Sequence, residues 1–241
     1  YIFIAATSTG VINSAEQFGN IISSPLNLLA WHTLFMFLTA TIVSAGINRG
    51  IGRMVKILMP MLGVLLIFMV INGILSGGFA RAFSFLFAPD FSQVNSNTFL
   101  SAMGQAFFSL SLGMGSIMAY GAYMPKEQKI IPTSFTVASL DTLVAIFAGL
   151  AIFPIIFAFG LEPNSGPGLV FESLQTAFNQ MSYGQIVGPL FFILLSVAAL
   201  SSSISLLEPG VAFISEEGSM SRKSAAISIS LVTWILGIGT V

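Results

Sequence analysis

Residues 104–115 read Gly104-Gln105-Ala106-Phe107-Phe108-Ser109-Leu110-Ser111-Leu112-Gly113-Met114-Gly115, so two serines and then two glycines alternate with apolar side chains. In a continuous helix Ser109 and Ser111 point to different faces, whereas in extended backbone they point the same way. Glycine lowers the cost of leaving the helical conformation. The string predicts a helix that is interrupted around 111–115, where free carbonyls and helix ends suit a cation and an anionic group. The alternative is that the small residues serve close helix packing.

The sequence around this string is too apolar for a soluble domain. Of its 241 residues 55% are apolar and 7% are charged, against about 25% charged in a typical soluble domain. The net charge is −1 and cysteine is absent. This composition excludes a cytosolic enzyme, a disordered segment, a nucleic-acid binder and a thiolate metal site. It predicts an all-α polytopic membrane protein in contact with the lipid bilayer.

Uncharged stretches long enough to cross a membrane recur along the chain. A membrane helix needs about 20 mostly apolar residues, and seven spans are predicted at about 1–15, 28–47, 54–76, 98–124, 132–160, 186–214 and 223–241. Helices are expected because apolar runs of this length exceed a barrel strand. The chain begins at Tyr1 and ends at Val241 within apolar stretches, so we expect a fragment, cut from a longer protein, that forms a single transmembrane domain.

The loop charges predict the orientation of these spans. Seven of the eight Lys and Arg residues lie in alternate loops at about 48–56, 125–131 and 215–223, whereas Arg81 lies on the opposite side. Because cytoplasmic loops carry an excess of Lys and Arg, these three loops are predicted to be cytoplasmic in a multi-pass protein of the cell membrane.

One carboxylate lies inside a predicted span. Asp141 is preceded and followed by uncharged residues of the fifth span. A carboxylate at this depth costs about 2.5–3.5 kcal/mol even on the lenient insertion scale. It must therefore face a partner, a cavity or an ion, and oxygen ligands suit a hard cation such as sodium. The alternative is a protonated, hydrogen-bonded Asp with a structural role.

The sixth span carries a second polar cluster. Ala198, Ser201 and Ser202 are spaced i, i+3 and i+4, which places one carbonyl and two hydroxyls on one helical face. They would form half of an ion site, or the serines would bond to their own helix. Glu208 follows Ser201 by seven residues on the same face, and both a structural pairing and an ion role remain open for it.

Four stretches resemble one family in order and spacing. They are the 104–115 string, Gly50 followed after nine residues by Pro60, Phe87-Ala88-Pro89-Asp90-Phe91, and Ser201-Ser202-Ser203-Ile204-Ser205-Leu206-Leu207-Glu208-Pro209. They resemble, in turn, the sixth helix, the Gly-x9-Pro motif of the fifth, the segment before the sixth, and the eighth helix of the neurotransmitter:sodium symporter family in its bacterial branch. The resemblance covers the whole chain as helices three to nine, with helices one and two and those after nine absent. It implies part of the inverted-repeat, five-plus-five helix transporter fold.

This resemblance implies two sodium sites, each incomplete in this chain. Ser109 and Asp141 would bind the first sodium, next to the carboxylate of the substrate. The carbonyl of Ala198 and the hydroxyls of Ser201 and Ser202 would bind the second. Asp141 replaces an asparagine found in many relatives, so its charge would take the place of chloride.

The resemblance also implies a substrate pocket and gates. The pocket would be lined by Tyr1, Phe108, Ser109, Ser111, Met114, Ser202 and Leu206, and gating would involve Gly50, Pro60 and Phe171. Phe108, Met114 and Leu206 form an apolar wall, which predicts a neutral, hydrophobic amino acid. Met114 stands where an aromatic residue is common in the family, which puts the pocket size in question.

The function predicted from these features is sodium-coupled symport of that amino acid by alternating access. The alternative is a membrane sensor or receptor that keeps the pocket without transporting. An enzyme is not expected, because the single His lies near a span boundary and no base stands beside a nucleophile. The predicted partners are the amino acid, sodium and lipid but no nucleic acid, and the sequence carries no signal for an oligomeric state.

Overall fold

Helices make up most of the described chain, which a computed structural model defines for residues 1–7, 14–163, 166–218 and 220–240. No strand occurs among these residues. In chain order the α-helices are α1 Ile2–Thr7, α2 Ser14–Ile22, α3 Pro25–Ser44, α4 Gly52–Leu75, α5 Phe79–Phe87, α6 Ser96–Ser109, α7 Ser116–Ala122, α8 Ile130–Ala158, α9 Leu174–Gln180, α10 Gly184–Glu217 and α11 Arg222–Ile238. Two π-turns, Ile47–Ile51 and Leu169–Ser173, and a 3-10 turn, Phe91–Gln93, join them.

Four helical segments are long and apolar enough to cross a membrane, counted within the described ranges. They are Pro25–Ser44, Arg49–Leu75, Ile130–Ala158 and Gly184–Glu217. The first predicted span, 1–15, coincides with α1 only over Ile2–Thr7, and residues 8–13 lie outside the described part. The predicted fourth span is divided between α6 and α7.

The predicted loop at 48–56 needs correction. Its residues belong to the π-turn Ile47–Ile51 and to the first turns of α4. The charges of Arg49, Arg53 and Lys56 suggest a boundary in the sequence, but long basic side chains reach polar surroundings from within a helix. The connection between α3 and the π-turn is therefore only the pair Ala45 and Gly46.

Two apolar clusters meet along α10. The first joins Met69 of α4, Ile155 of α8 and Phe178 of α9 to the N-terminal half of α10. The second joins Val43 of α3 and Ala225 of α11 to the C-terminal half of α10. Residues 201–203, three serines in succession, lie between the α10 members of the two clusters. The hydroxyl-rich part of α10 therefore separates the two halves of the core.

A glycine sets the distance between α4 and α8. At Gly73 a Cβ would lie 2.7 Å from the carbonyl oxygen of Leu150 and 3.3 Å from that of Ala151. Small residues allow membrane helices to approach this closely. The C-terminal half of α4 therefore packs on α8 by direct backbone contact at this point.

Replacing Gly73 by alanine should push α4 away from α8. We expect Gly73→Ala to destabilise the full-length protein by about 1–3 kcal/mol, as overpacking of a close-packed contact does. Gly63→Ala, in the same helix, is the matched control, because a Cβ there meets nothing within 4 Å. Thermal unfolding of both variants in detergent measures the difference, and equal melting temperatures would contradict this account of the contact.

Candidate functional site

The helix that contains the 104–115 string is interrupted. α6 ends at Ser109 and α7 begins at Ser116. Ser111 has a φ of 54° and Gly115 a φ of 76°, and Ser111 is the only residue other than glycine with positive φ in the described ranges. Left-handed backbone costs an L-residue about 1–2 kcal/mol, so the conformation at Ser111 is imposed by its surroundings. The break predicted from the serine and glycine alternation is confirmed.

A cavity of about 440 Å³ opens beside this break, between α4 and α10. Such a volume is within the range of about 300–1,000 Å³ that is usual for small-molecule sites. Seven of the residues predicted for the pocket and the ion sites line it, namely Phe108, Ser109, Ser111, Met114, Ser201, Ser202 and Leu206. The remaining walls are mostly apolar and include Ile51, Met54, Leu58 and Ile204.

Ser109 connects the break to α8. Its Oγ lies 2.6 Å from Oδ1 and 2.7 Å from Oδ2 of Asp141, so the hydroxyl donates its proton to that carboxylate. Within the described ranges no Lys or Arg nitrogen lies within 4 Å of Asp141. The predicted pair is therefore in direct contact, and the carboxylate has no cationic partner in this part of the protein.

The three consecutive serines of α10, residues 201–203, differ in their hydrogen bonds. Ser201 donates to the carbonyl of Ala198 at 2.8 Å, so these two predicted sodium ligands are adjacent. Ser203 lies 2.8 Å from the hydroxyl of Thr39 in α3, and it joins two helices. Ser202, by contrast, faces the cavity and has no hydrogen-bond partner in the described part of the chain. Back-bonding thus accounts for Ser201 but leaves Ser202 free.

Three hydrogen bonds fasten α7 and the residue that follows it, Tyr123, to α10. Ser116 donates to the carbonyl of Ser205 at 3.0 Å, and the Tyr120 hydroxyl donates to Ser205 Oγ at 2.9 Å. The Tyr123 hydroxyl donates to Glu208 Oε1 at 2.9 Å. We did not foresee these contacts from the sequence, although 116, 120 and 123 have the i, i+4 and i+7 spacing of one helical face.

Glu208 has a structural partner. Its side chain is fully buried, and Arg222 Nη2 lies 2.6 Å from Oε2. Partial burial lowers the pKa of Arg222, but the hydrogen bond and charge of Glu208, with help from Tyr123, outweigh this and raise its pKa above the ordinary value. Of the two roles left open for Glu208, the pairing with Tyr123 and Arg222 is the one observed.

Tyr1 and Phe171 lie together in an aromatic cluster of their own. The ring centroid of Tyr1 is 4.8 Å from that of Phe171 and 5.0 Å from that of Phe192. Phe171 also stacks on Phe18 at 5.6 Å. The Tyr1 hydroxyl is buried and finds no hydrogen-bond partner among the described residues. The structure thus pairs the predicted substrate tyrosine with the predicted gate residue.

The Gly50 and Pro60 positions differ in their surroundings. Gly50 lies in the π-turn, where a Cβ would overlap the carbonyl oxygen of Ile42. Pro60 lies inside α4 and is exposed. Proline lacks an N–H, so the carbonyl of Lys56 loses its usual helical partner. Gly50 therefore has a packing role beside the predicted gating role.

Acidic and histidine side chains form no larger cluster. In the described ranges no three His, Asp or Glu side chains come together in a way that would hold a metal ion. Hydroxyls, carbonyls and a single carboxylate are what the break offers to a ligand.

Comparison with known proteins identifies the class. Residues 13–241 match the family model of the Sodium:neurotransmitter symporter family, and the chain belongs to this family of multi-pass membrane transporters. It is therefore not an enzyme, and the family implies sodium as the coupling ion.

Two bacterial relatives and one solved structure illustrate the likeness. An uncharacterized sodium-dependent transporter, YhdH of Bacillus subtilis (strain 168), is 34% identical over 98% of this chain and 54% of its own length. A sodium-dependent transporter of Haemophilus influenzae is 37% identical over 89% of this chain and 47% of its own length. The crystal structure of MhsT in complex with L-phenylalanine superposes with a TM-score of 0.87 and 45% identity over 99% of this chain and 55% of MhsT. The chain thus spans about half the length of these relatives, and its fold is part of the fold of MhsT.

Removing Arg222 should expose the cost of the buried carboxylate. We expect Arg222→Gln to destabilise the full-length protein by about 3–5 kcal/mol, because it leaves Glu208 buried and charged. Adding Glu208→Gln to that variant should restore most of the stability. The adjacent, exposed Lys223→Gln is the control, and thermal unfolding in detergent is the measurement. If the Arg222→Gln and Lys223→Gln variants have the same melting temperature, the ion pair does not stabilise the fold.

Proposed function

We propose that the protein to which this chain belongs carries out sodium-coupled symport of a neutral, hydrophobic amino acid by alternating access. The observation that carries the proposal is the contact between Ser109 at the end of α6 and the carboxylate of Asp141, which has no cationic partner among the described residues and lies beside an apolar cavity. Family membership supports sodium as the coupling ion.

The first sodium would bind where Ser109 meets Asp141. α6 ends at Ser109, and the carbonyl end of a helix dipole is favourable to a cation. A carboxylate at this point adds a full negative charge and two oxygen ligands. A sodium ion bound there would also neutralise the carboxylate of a substrate in a medium of low dielectric constant. Ion and substrate would then raise each other's affinity, which is thermodynamic coupling.

The second sodium would bind to α10. Its ligands would be the carbonyl of Ala198 and the hydroxyls of Ser201 and Ser202. The free hydroxyl of Ser202 and the adjacency of Ser201 to Ala198 support this assignment. Ser203 is not proposed as a ligand, because its hydroxyl already joins α10 to Thr39.

The substrate would occupy the cavity between the break and α10. Phe108, Met114 and Leu206 would contact its side chain, and the hydroxyls of Ser111 and Ser202, which also line the cavity, would meet its polar end. MhsT is solved in complex with L-phenylalanine, which supports a hydrophobic amino acid. Tyr1 and Phe171 pack on each other and are not among the residues that line this cavity. From there Tyr1, whose hydroxyl finds no hydrogen-bond partner among the described residues, would bond the substrate carboxylate, and Phe171 would close the outer side.

Alternating access would use the two anchors of the broken helix. α6 is bonded to α8 through Ser109, whereas α7 is bonded to α10 through Ser116 and Tyr120. The two halves can therefore move with different helices. The π-turn around Gly50 and the missing hydrogen bond at Pro60 would let the start of α4 unwind on the side proposed to be cytoplasmic.

Uptake by the full-length protein in proteoliposomes tests this function. We expect an inward sodium gradient to drive accumulation of labelled L-phenylalanine or L-leucine, with little uptake of glutamate or lysine. A potassium gradient of the same size is the control. Sodium-dependent binding without accumulation would favour the sensor reading instead. Preferred uptake of a charged amino acid would contradict the proposed pocket.

Asp141→Asn tests the ion site directly. Because it removes one negative charge and keeps an oxygen ligand, we expect the sodium concentration for half-maximal uptake to rise roughly tenfold, or about 1.4 kcal/mol. Wild-type uptake should be the same in chloride and in gluconate, and chloride should partly rescue the variant. Glu127→Gln, in an exposed loop, is the control with the same change of charge. An unchanged sodium dependence in well-folded Asp141→Asn protein would remove this residue from the site.

A further inference from the structure

The short helix α5, Phe79–Phe87, carries a row of aromatic rings along an exposed face. Phe79, Phe83 and Phe87 are spaced four residues apart, and successive ring centroids lie 5.9 and 4.7 Å from each other. Phe83 is 50% exposed and Phe87 43% exposed. We call these three residues the aromatic row. In the part of the chain that the structure describes, no other ring contact is made by them.

The opposite flank of α5 is fixed to the end of α8. Gly78 precedes the helix at a point where a Cβ would overlap the carbonyl oxygen of Pro154, so the two backbones touch. Ala82 is fully buried, and Phe85 packs on Phe153 and Phe157 with centroids 4.9 and 5.5 Å away. The helix therefore cannot turn to hide its aromatic row without losing these contacts.

Arg81 lies beside the C-terminal end of α8. Its Cζ lies 4.7 Å from the ring centroid of Phe157, the last residue but one of α8. α8 is one of the helices long enough to cross a membrane, so the guanidinium stands near one end of a candidate membrane span. Arg81 is the single charged residue of α5, and it stands on the flank away from the aromatic row, since two residues are about 200° apart on a helix.

We propose that α5 is an interfacial anchor, whose aromatic row inserts among the acyl chains of the adjacent leaflet while Arg81 meets lipid phosphates. Aromatic and apolar side chains on one face and a cation on the other are the pattern of helices that lie in the plane of the interface. Ile74 and Leu75, at the end of α4 just before α5, are exposed apolar residues as well. The occupant of the aromatic row is therefore phospholipid.

This anchor gives α5 a mechanical role. α5 is attached to the end of α8, and α8 carries Asp141. A helix held at the interface restrains the depth and tilt of the helix to which it is fixed. The inference does not depend on the proposed substrate or ions.

Spin labels in the full-length protein test the anchor. Phe83→Cys and Phe87→Cys report on the aromatic row. Ser84→Cys is the matched control, because Ser84 is exposed on the same helix but lies outside the row. Each cysteine is introduced into a cysteine-free background. The protein is reconstituted in phosphatidylcholine vesicles, and relaxation of each label by oxygen and by a water-soluble nickel chelate is measured. We expect labels at 83 and 87 to be several-fold more accessible to oxygen than to the chelate, and the label at 84 to show the reverse.

Two results would overturn the proposal. If the labels at 83 and 87 relax with the chelate as readily as the label at 84, the aromatic row faces water. If both are shielded from oxygen as well as from the chelate, another segment of protein covers the row. Because two positions of the row are labelled separately, the failure of one variant to fold leaves the test intact.

Discussion

The interruption between Ser109 and Ser116 is the feature on which the rest of the arrangement depends. Inside a membrane, backbone N–H and C=O groups without partners are costly, and non-helical backbone is tolerated only where protein or a polar cavity surrounds it. Here the break lies against a cavity lined by hydroxyls of α10, and each half-helix has its own polar attachment. The cavity, the free hydroxyls and the contact with Asp141 all follow from a helix that ends in the middle of its path.

Part of this arrangement could be predicted from the sequence. The alternation of serine and glycine predicted the break, and the family resemblance predicted the pair Ser109 and Asp141 and seven of the residues that line the cavity, although Tyr1, also predicted for the pocket, is not among its lining. These features depend on local backbone preference or on a motif of adjacent residues, which a sequence carries directly. The membrane class followed from composition, and the all-helical class from the length of the uncharged apolar runs.

Other features could not be predicted, because they depend on how helices approach one another. The bonds from Tyr120 and Tyr123 to α10 exist only once α7 lies against Ser205 and Glu208. The close approach at Gly73 depends on the backbone of α8, far away in sequence. The helix α5 was overlooked because its nine residues are too few for a membrane span. The predicted loop at 48–56 was too long because its charged residues were taken to mark the ends of the neighbouring spans.

The π-turn before α4 has a consequence for register. In Ile47–Ile51 the N–H of Ile51 bonds to the carbonyl of Gly46, one residue further back than in an α-helix. The turn therefore holds one residue more than a turn of α-helix, and deleting one residue there would restore α-helical geometry while the helix after it keeps nearly its original direction. Gly73 would still face α8 and Met69 would stay in the core. A deletion further along α4, where no extra residue exists, would instead rotate all that follows by about 100°, so α4 can lose a residue only at this turn, provided that Gly50 is kept.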